Sequence, residues 1–183
     1  GRGCGLSDEA YVCGILHDFG KYSERFQGVL LGTYRGIDHA FCSAAILYSS
    51  VRKRPVTYGP IVETINGHHD GLVSWTSLSG LFEENLKNNR AITCPSGKEA
   101  ALAGRQYEGA WAAFQNDFPD FSLPALPKRT RENNVEDMLD TRMLFSCLVD
   151  ADYSASAQND DPDYLIKSSG APLDAPTLLE SLS

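Results

Sequence analysis

Apolar residues recur in this chain at the spacing of α-helices, whereas the alternating β-branched runs that mark strands are missing. The sequence therefore predicts an all-α fold. The expected helices cover about residues 7–19, 38–50, 61–66, 79–88, 98–117 and 135–153. Pro60 suits the first turn of the third helix. In the last helix, the apolar positions are Met138, Leu139, Met143, Leu144, Leu148 and Val149.

A chain of 183 residues has the size of one domain with a short extension. After Tyr153 the composition turns polar and rich in Asp, Pro, Ser and Gly, which is typical of a loosely ordered segment. We expect a folded domain over residues 1–153 and a polar tail or linker over residues 154–183. A short closing helix is expected at residues 178–182.

The charge and cysteine content of the chain argue against several classes of protein. The net charge of −8 argues against a broadly basic nucleic-acid-binding surface, although cations bound to acidic ligands would reverse the field locally. The five cysteines form no Cys-x-x-Cys pair, so neither a disulfide framework nor a zinc-thiolate site is expected. Cys13, Cys42 and Cys147 lie in apolar stretches and are expected in the core. No apolar run is long enough to span a bilayer, and a cytoplasmic location is expected.

All four histidines stand near the predicted ends of helices, and each lies beside an acid, a glycine or another histidine. They occur in His17-Asp18-Phe19-Gly20-Lys21, Asp38-His39-Ala40 and Gly67-His68-His69-Asp70-Gly71-Leu72. Two acids, Asp150 and Asp152, follow near the end of the last helix. A lone His-Asp pair is uninformative, and a lone buried histidine is more often structural than a ligand. The joint occurrence of every histidine in this pattern favours a metal site.

Imidazole and carboxylate are the ligands that divalent transition metals prefer. An adjacent His-Asp pair offers a nitrogen and an oxygen to one region, and a carboxylate can bridge two ions. Ligands carried by several packed helices form a preorganised pocket. One or two ions held there would activate water and polarise a phosphate, and Lys21 would neutralise a phosphate oxygen. The residues alone thus predict metal-assisted phosphoryl chemistry.

These segments together resemble a known family. Residues 17–27, His-Asp-Phe-Gly-Lys-Tyr-Ser-Glu-Arg-Phe-Gln, are similar to the HD motif and its sequel in the nuclease domain of the CRISPR-associated type I effector nuclease-helicase, of the HD phosphohydrolase superfamily. Residues 38–40 and 67–72 resemble that family's Asp-His-Ser and Gly-His-His-x-Gly-Leu segments. Residues 142–153 resemble its closing helix. The resemblance spans about residues 6–153.

The resemblance implies an HD-domain helical bundle with a central His/Asp metal site. It also implies a metal-dependent nuclease that cuts single-stranded DNA, as an endonuclease or exonuclease, in antiviral defence. The implied partners are single-stranded DNA, an RNA-guided CRISPR surveillance complex and a helicase domain or subunit, with no membrane. The implied cofactors are one or two divalent ions, namely Mn, Ni, Co or Fe, with Mg or Zn as alternatives.

The resemblance also assigns residues to roles, position by position. The implied metal ligands are His17, Asp18, His39, His68, His69 and Asp152. Asp152 is preferred to Asp150 because the family's closing acid follows an alanine. His17, Asp18 and Lys21 are expected to carry the chemistry, with Lys21 against a phosphate.

Two features depart from the family pattern. The family usually has a further histidine upstream of its HD pair, and nothing before His17 can serve in its place. We therefore expect a chain shortened at its N-terminus, with weaker metal binding or one ion instead of two. No Gly-x-x-x-x-Gly-Lys-Ser/Thr loop occurs, so that any ATP-driven motor is expected elsewhere.

Two alternatives stay open. An HD enzyme that acts on nucleotides or cyclic nucleotides would use the same metal chemistry with a different pocket. A non-catalytic module with an incomplete metal site would instead serve as a docking surface for the RNA-guided complex.

Overall fold

The computed structural model of the chain describes residues 6–126 and 135–160, with the side chains of all but Pro55, Val56, Glu136 and Asp160. The described residues are mostly helical, which is compatible with the predicted all-α class. Their α-helices are α1 Ser7–Leu16, α2 Glu24–Leu30, α3 Ala40–Val51, α4 Pro55–Gly67, α5 Trp75–Lys87, α6 Gln106–Asp117 and α7 Val135–Asp160. A 3-10 helix, Phe19–Tyr22, follows α1. Two short strands, β1 Ile37–Asp38 and β2 Glu99–Ala100, pair in parallel.

The chain divides after Val149, within α7, into two compact units, Gly1–Val149 and Asp150–Ser183. The first unit contains the core and all four histidines. Of the second unit, the structure describes residues 150–160, which form the C-terminal part of α7. The expected closing helix at residues 178–182 lies outside the described residues.

Two buried helices, α3 and α4, form the centre of the first unit. In α3, Phe41, Cys42, Ala44 and Ala45 are all fully buried, and its small side chains let neighbouring backbones approach closely. In α4, the fully buried apolar side chains recur at the spacing of one helix face: Tyr58, Ile61, Val62 and Ile65. Because both helices are fixed by this packing, the residues at their ends are held in defined positions.

The structure begins α4 earlier than the sequence predicted. Pro55 takes the first-turn position, and Pro60 lies inside the helix rather than at its start. Within a helix, a proline removes one backbone hydrogen bond and strains the preceding turn. Here the buried stripe begins at Tyr58, before Pro60, so that core packing on both sides of the proline carries the helix through it.

Three other helix boundaries differ from the prediction. The segment before Gln106, predicted as helix from residue 98, contains β2 and then Gly104 at φ +49°. Helix α5 starts at Trp75, whose N–H donates to Glu63 Oε1 at 2.6 Å, four residues before the predicted start. Helix α7 continues to Asp160, so residues 154–160 are helical and not loosely ordered as expected.

Only some of the apolar positions of the last helix are buried. Leu144 and Leu148 are buried, whereas Met138, Leu139 and Met143 are exposed. With 3.6 residues per turn, Leu144 and Leu148 share a face from which Leu139 and Met143 point away. Likewise Cys13 and Cys42 are buried as predicted, but Cys147 is exposed. Among the described residues, no helix has the length and apolar character that a membrane crossing requires.

Candidate metal centre

The four histidines, which come from three separate segments of the chain, lie together where three helices end or begin. His17 follows the last residue of α1, His39 precedes α3, and His68 follows α4. The ring centroids of His17 and His68 are 5.2 Å apart, and those of His39 and His68 are 5.5 Å apart. The His69 ring lies 4.0 Å from His68 and 4.9 Å from His39. We refer to these four rings as the histidine cluster.

Gly20 permits the approach of the His17-Asp18 segment to α3. A Cβ atom at position 20 would overlap the backbone of His39. The Gly20 N–H donates to Ser43 Oγ at 2.9 Å, and the Ser43 hydroxyl donates to the His39 carbonyl at 3.0 Å. This direct backbone contact allows Asp18 Oδ1 to lie 3.2 Å from His39 Nε2.

Asp38 positions His39 without pointing into the cluster. Its Oδ1 accepts from the Phe41 N–H in the first turn of α3 at 2.9 Å, and its Oδ2 accepts from the Ser96 hydroxyl at 2.5 Å. Its backbone carbonyl accepts from Ala101 N at 2.9 Å. No role was predicted for Asp38 from the sequence. An aspartate just before a helix is a capping signal that could have indicated this one.

A tight turn after α4 places His69 beside His68. The Asp70 and Gly71 N–H groups both donate to the Gly67 carbonyl, at 3.1 and 2.7 Å. Gly71 has φ +97°, a conformation that residues with a side chain rarely adopt. The Asp70 carboxylate binds Lys98 Nζ at 3.0 and 3.1 Å, so this acid is directed to Lys98.

His68 presents a buried nitrogen lone pair to the cluster. Its Nδ1 lies 2.7 Å from the Ile65 carbonyl, which can only accept, so Nδ1 carries the proton. Its Nε2 is buried and has no hydrogen-bond partner. Burial, together with the neighbouring histidines, lowers the pKa of His68 to about 4. The imidazole is therefore neutral at pH 7, the form that binds metals.

The other nitrogens face acceptors at close range. His17 Nδ1 lies 2.9 Å from the Gly14 carbonyl, and His17 Nε2 lies 3.3 Å from Asp18 Oδ2. His39 Nε2 is 3.2 Å from both Asp18 Oδ1 and His69 Nε2. A proton on one atom of each pair, or a shared cation, satisfies both atoms. The arrangement is therefore compatible with a bound cation.

Asp18 supplies the negative charge at the edge of the cluster. Burial alone would raise the pKa of its carboxyl, but the imidazoles of His17 and His39 and the Lys21 ammonium hold that pKa well below its usual range. Lys21 Nζ lies 2.8 Å from Asp18 Oδ2. The carboxylate is therefore ionised at neutral pH and able to act as a ligand.

The donor set fits a transition metal. His39, His68 and His69 each offer a nitrogen, and these three atoms lie within 4.8 Å of one another, so that they could hold one ion. Imidazole nitrogens suit Zn, Cu, Fe and Ni, and the unpartnered Nε2 of His68 is the kind of atom that a metal satisfies.

The six metal ligands predicted from the sequence do not all lie in the same unit of the structure. His17, Asp18, His39, His68 and His69 are brought together in the first unit. Asp152 lies on α7 in the second unit, half-buried, and its role as a ligand stays a prediction. Lys21 lies beside the cluster, bound to Asp18.

The described residues thus define a mostly helical protein with a histidine cluster that could bind a metal ion. Comparison with known proteins identified no matching family model, no matching curated protein and no matching solved structure.

Proposed function

We propose that the chain is a metal-dependent phosphodiesterase of the HD kind, which hydrolyses phosphodiester bonds in single-stranded DNA. The observation that carries the proposal is the buried, unpartnered Nε2 of His68 inside the histidine cluster. An unsatisfied buried acceptor costs a protein about 1–3 kcal/mol. A metal ion bound to this nitrogen would remove the cost, and a function in metal binding explains why the protein tolerates it.

The proposed roles follow from the position of each side chain. His39, His68 and His69 hold the ion, and Asp18 completes its coordination from the adjacent side. The bound ion would supply Lewis-acid activation of water and of the phosphate. His17 is fixed by the Gly14 carbonyl and keeps Asp18 ionised. Lys21, which donates to Asp18 beside the cluster, would neutralise a phosphate oxygen.

The choice of single-stranded DNA is supported by the family resemblance of residues 17–27, 38–40, 67–72 and 142–153. An RNA-guided complex that displaces a DNA strand and a helicase that feeds it are the partners we propose on the same basis. The same metal chemistry would hydrolyse nucleotides equally well. Only a test of both substrates distinguishes a nuclease from a nucleotide phosphohydrolase.

The test compares substrates and a matched pair of variants. The purified protein is incubated with manganese, nickel, cobalt or iron on circular single-stranded DNA, and separately on nucleoside monophosphates and cyclic nucleotides. We expect cleavage of the circle, abolished by EDTA. Asp18→Asn should lower the rate about a hundredfold or more. Asp120→Asn, the same change at an exposed loop residue, should leave the rate unchanged.

The outcomes discriminate between the functions. Hydrolysis of nucleotides without cleavage of DNA would replace the nuclease with a small-molecule phosphohydrolase. No activity on any substrate, together with no binding of transition metal at micromolar supply, would leave a non-catalytic docking module. Equal activity of Asp18→Asn and Asp120→Asn would show that the activity comes from elsewhere.

A further inference from the structure

A tight hairpin over residues 92–100 has no part in the proposed chemistry, yet it binds acids that adjoin two of the histidines. The Cys94 N–H donates to the Lys98 carbonyl at 2.8 Å, and the Gly97 N–H donates to the Cys94 carbonyl at 2.9 Å. Gly97 has φ +78°, a conformation that glycine adopts readily at the end of a three-residue hairpin loop. This loop geometry holds Ser96 and Lys98 in fixed positions relative to one another. We call residues 92–100 the hairpin.

Contacts with α2 and with the chain before α3 fix the base of the hairpin. Arg25 of α2 donates to the Ala100 carbonyl at 2.9 Å and pairs with the Glu99 carboxylate. The Glu99 N–H donates to the Gly36 carbonyl at 2.8 Å. The Ala100 N–H donates across the hairpin to the Ile92 carbonyl at 2.9 Å. The hairpin is therefore attached to the segment that leads into α3.

Lys98 of the hairpin binds the acid that follows His69. Its Nζ lies 3.0 and 3.1 Å from the two carboxylate oxygens of Asp70. His69 is exposed and stands on the tight turn after α4, not within the helix. An exposed side chain on a turn has more conformational freedom than one packed on a helix, unless contacts restrict its backbone. The Asp70–Lys98 ion pair provides such a contact next to His69.

Ser96 of the hairpin binds the acid that precedes His39. Its hydroxyl donates to Asp38 Oδ2 at 2.5 Å. Across the cluster, His39 Nε2 lies 3.2 Å from His69 Nε2. Two nitrogens bound tetrahedrally to one zinc ion would lie about 3.3 Å apart, given zinc–nitrogen distances of about 2.0–2.1 Å. The contacts thus form a closed ring, from the hairpin through Asp38 to His39, across to His69, and back to the hairpin through the ion pair.

We propose that the hairpin sets the spacing of the His39 and His69 nitrogens for a metal ion. Ser96 and Lys98 are its positioning residues. The inference rests on the proposed function and deepens it, because it names what holds two of the proposed ligands. A preset spacing lowers the conformational cost of binding the ion. An exposed ion pair favours one conformation about fivefold at most, so its loss should weaken metal binding by up to that factor.

A pair of double variants separates positioning from charge and from stability. Asp70→Ala/Lys98→Ala removes one acid and one base, so the net charge of the protein is unchanged. The matched control, Glu83→Ala/Lys87→Ala, removes another partly exposed ion pair, whose Nζ and Oε2 atoms are 2.7 Å apart. Glu83 also accepts from the Tyr48 hydroxyl at 3.1 Å. The control should therefore lose at least as much stability, as urea denaturation would show.

Titration with Co²⁺, followed by the visible absorption of the bound ion, measures affinity and reports coordination geometry. Asp70→Ala/Lys98→Ala should bind Co²⁺ about three- to fivefold more weakly than the parent, and the Glu83→Ala/Lys87→Ala control should match the parent. Lys98→Arg, which keeps the ion pair, should also match it. At saturation all spectra should agree, because the positioning residues are not ligands.

The closed ring also predicts that its two links do not act independently. Once either link is open, the spacing is no longer set, and opening the other should have little further effect. Adding Ser96→Ala to Asp70→Ala/Lys98→Ala should therefore lower Co²⁺ affinity by a smaller factor than Ser96→Ala does in the parent. Equal factors would show two separate local effects and would contradict the ring.

The outcomes separate this inference from the proposed function. Equal Co²⁺ affinity of the two double variants, or a Lys98→Arg protein as weak as Asp70→Ala/Lys98→Ala, would overturn the inference and leave the phosphodiesterase proposal standing. A changed spectrum at saturation would show that Asp70 binds the ion itself, and would also overturn it. The expected loss of affinity, in a protein that cleaves no phosphodiester with any metal, would support the hairpin's role and contradict the phosphodiesterase. No binding of Co²⁺ by the parent would overturn the inference, and the cleavage assay would decide separately on the proposed function.

Discussion

At the scale of single residues, two glycines near the histidine cluster differ in whether their surroundings leave room for a side chain. A Cβ atom at Gly20 would overlap the His39 backbone, whereas a Cβ atom at Gly14, within α1, would meet nothing within 4 Å. Backbone cannot rotate away as a side chain can, so the 3-10 helix and α3 would have to separate. The approach of Asp18 to His39 depends on that contact.

Substitution of alanine at Gly20 and at Gly14 should change the free energy of unfolding in opposite directions. Gly20→Ala should lower the free energy of unfolding by about 1–3 kcal/mol, as overpacking commonly does. Gly14→Ala should raise it by about 0.5–1 kcal/mol, because glycine is a poor helix former. Urea denaturation followed by circular dichroism measures both.

The two variants also differ in their expected metal binding. Gly20→Ala should weaken it by separating Asp18 from His39, and Gly14→Ala should not. Equal stability of Gly20→Ala and the parent would contradict the close packing of the 3-10 helix on α3.

The sequence predicted which side chains the cluster contains better than what holds them in place. The histidines and Asp18 were identified because residue types that bind metals are few in this chain, with only four histidines. The roles of Gly20 and Ser43 depend on a contact between segments 23 residues apart. No local pattern encodes such a contact, so it could not be derived from one sequence.

At the scale of elements, the start of α3 depends on a strand and a loop that are distant in sequence. Asp38 caps the first turn of α3 through one carboxylate oxygen and binds the Ser96 hydroxyl through the other. The pairing of β1 with β2 brings the chain that carries Ser96 to this position. A short parallel pair thus helps to position His39 in the histidine cluster, although the described residues are mostly helical.

Asp38→Ala should therefore destabilise the protein by about 0.5–2 kcal/mol, the cost of losing a helix cap. Ser96→Ala removes only one neutral hydrogen bond and should cost less, about 0.5–1.5 kcal/mol. Because His39 directly follows Asp38, the first variant should also weaken metal binding more than the second. Chemical denaturation and isothermal titration with manganese measure the two effects. A larger loss for Ser96→Ala on both measurements would show that Asp38 does not position His39.

Helices were predicted well where packing is periodic and poorly where tertiary contacts override local preference. The expected helix at residues 38–50 corresponds to α3, Ala40–Val51, because a buried run of apolar and small residues determines it. Residues 98–105 have a helix-like composition, but pairing with β1 and the positive φ of Gly104 take them out of the helix. Pro60 is typical of a helix start, and a single sequence does not reveal that core packing continues α4 through it.

At the scale of the whole molecule, the histidine cluster is assembled from ends of α1, α3 and α4 within one compact unit. The rings of His17, His39 and His68 were predicted to meet. The ring centroids of His17 and His39 lie 5.2 and 5.5 Å from that of His68. In this arrangement the buried Nε2 of His68 makes no hydrogen bond. Such local costs are typical of functional sites.

Anomalous diffraction from a crystal soaked in manganese, and in zinc for comparison, tests the central claim most directly. We expect an anomalous peak within about 2.0–2.3 Å of His68 Nε2, with His39 and His69 nitrogens at similar distances. The same soak of a His68→Ala crystal should lose that peak while the fold is kept. An absence of any peak at the histidine cluster of the parent, with the ions bound at surface carboxylates instead, would contradict the account.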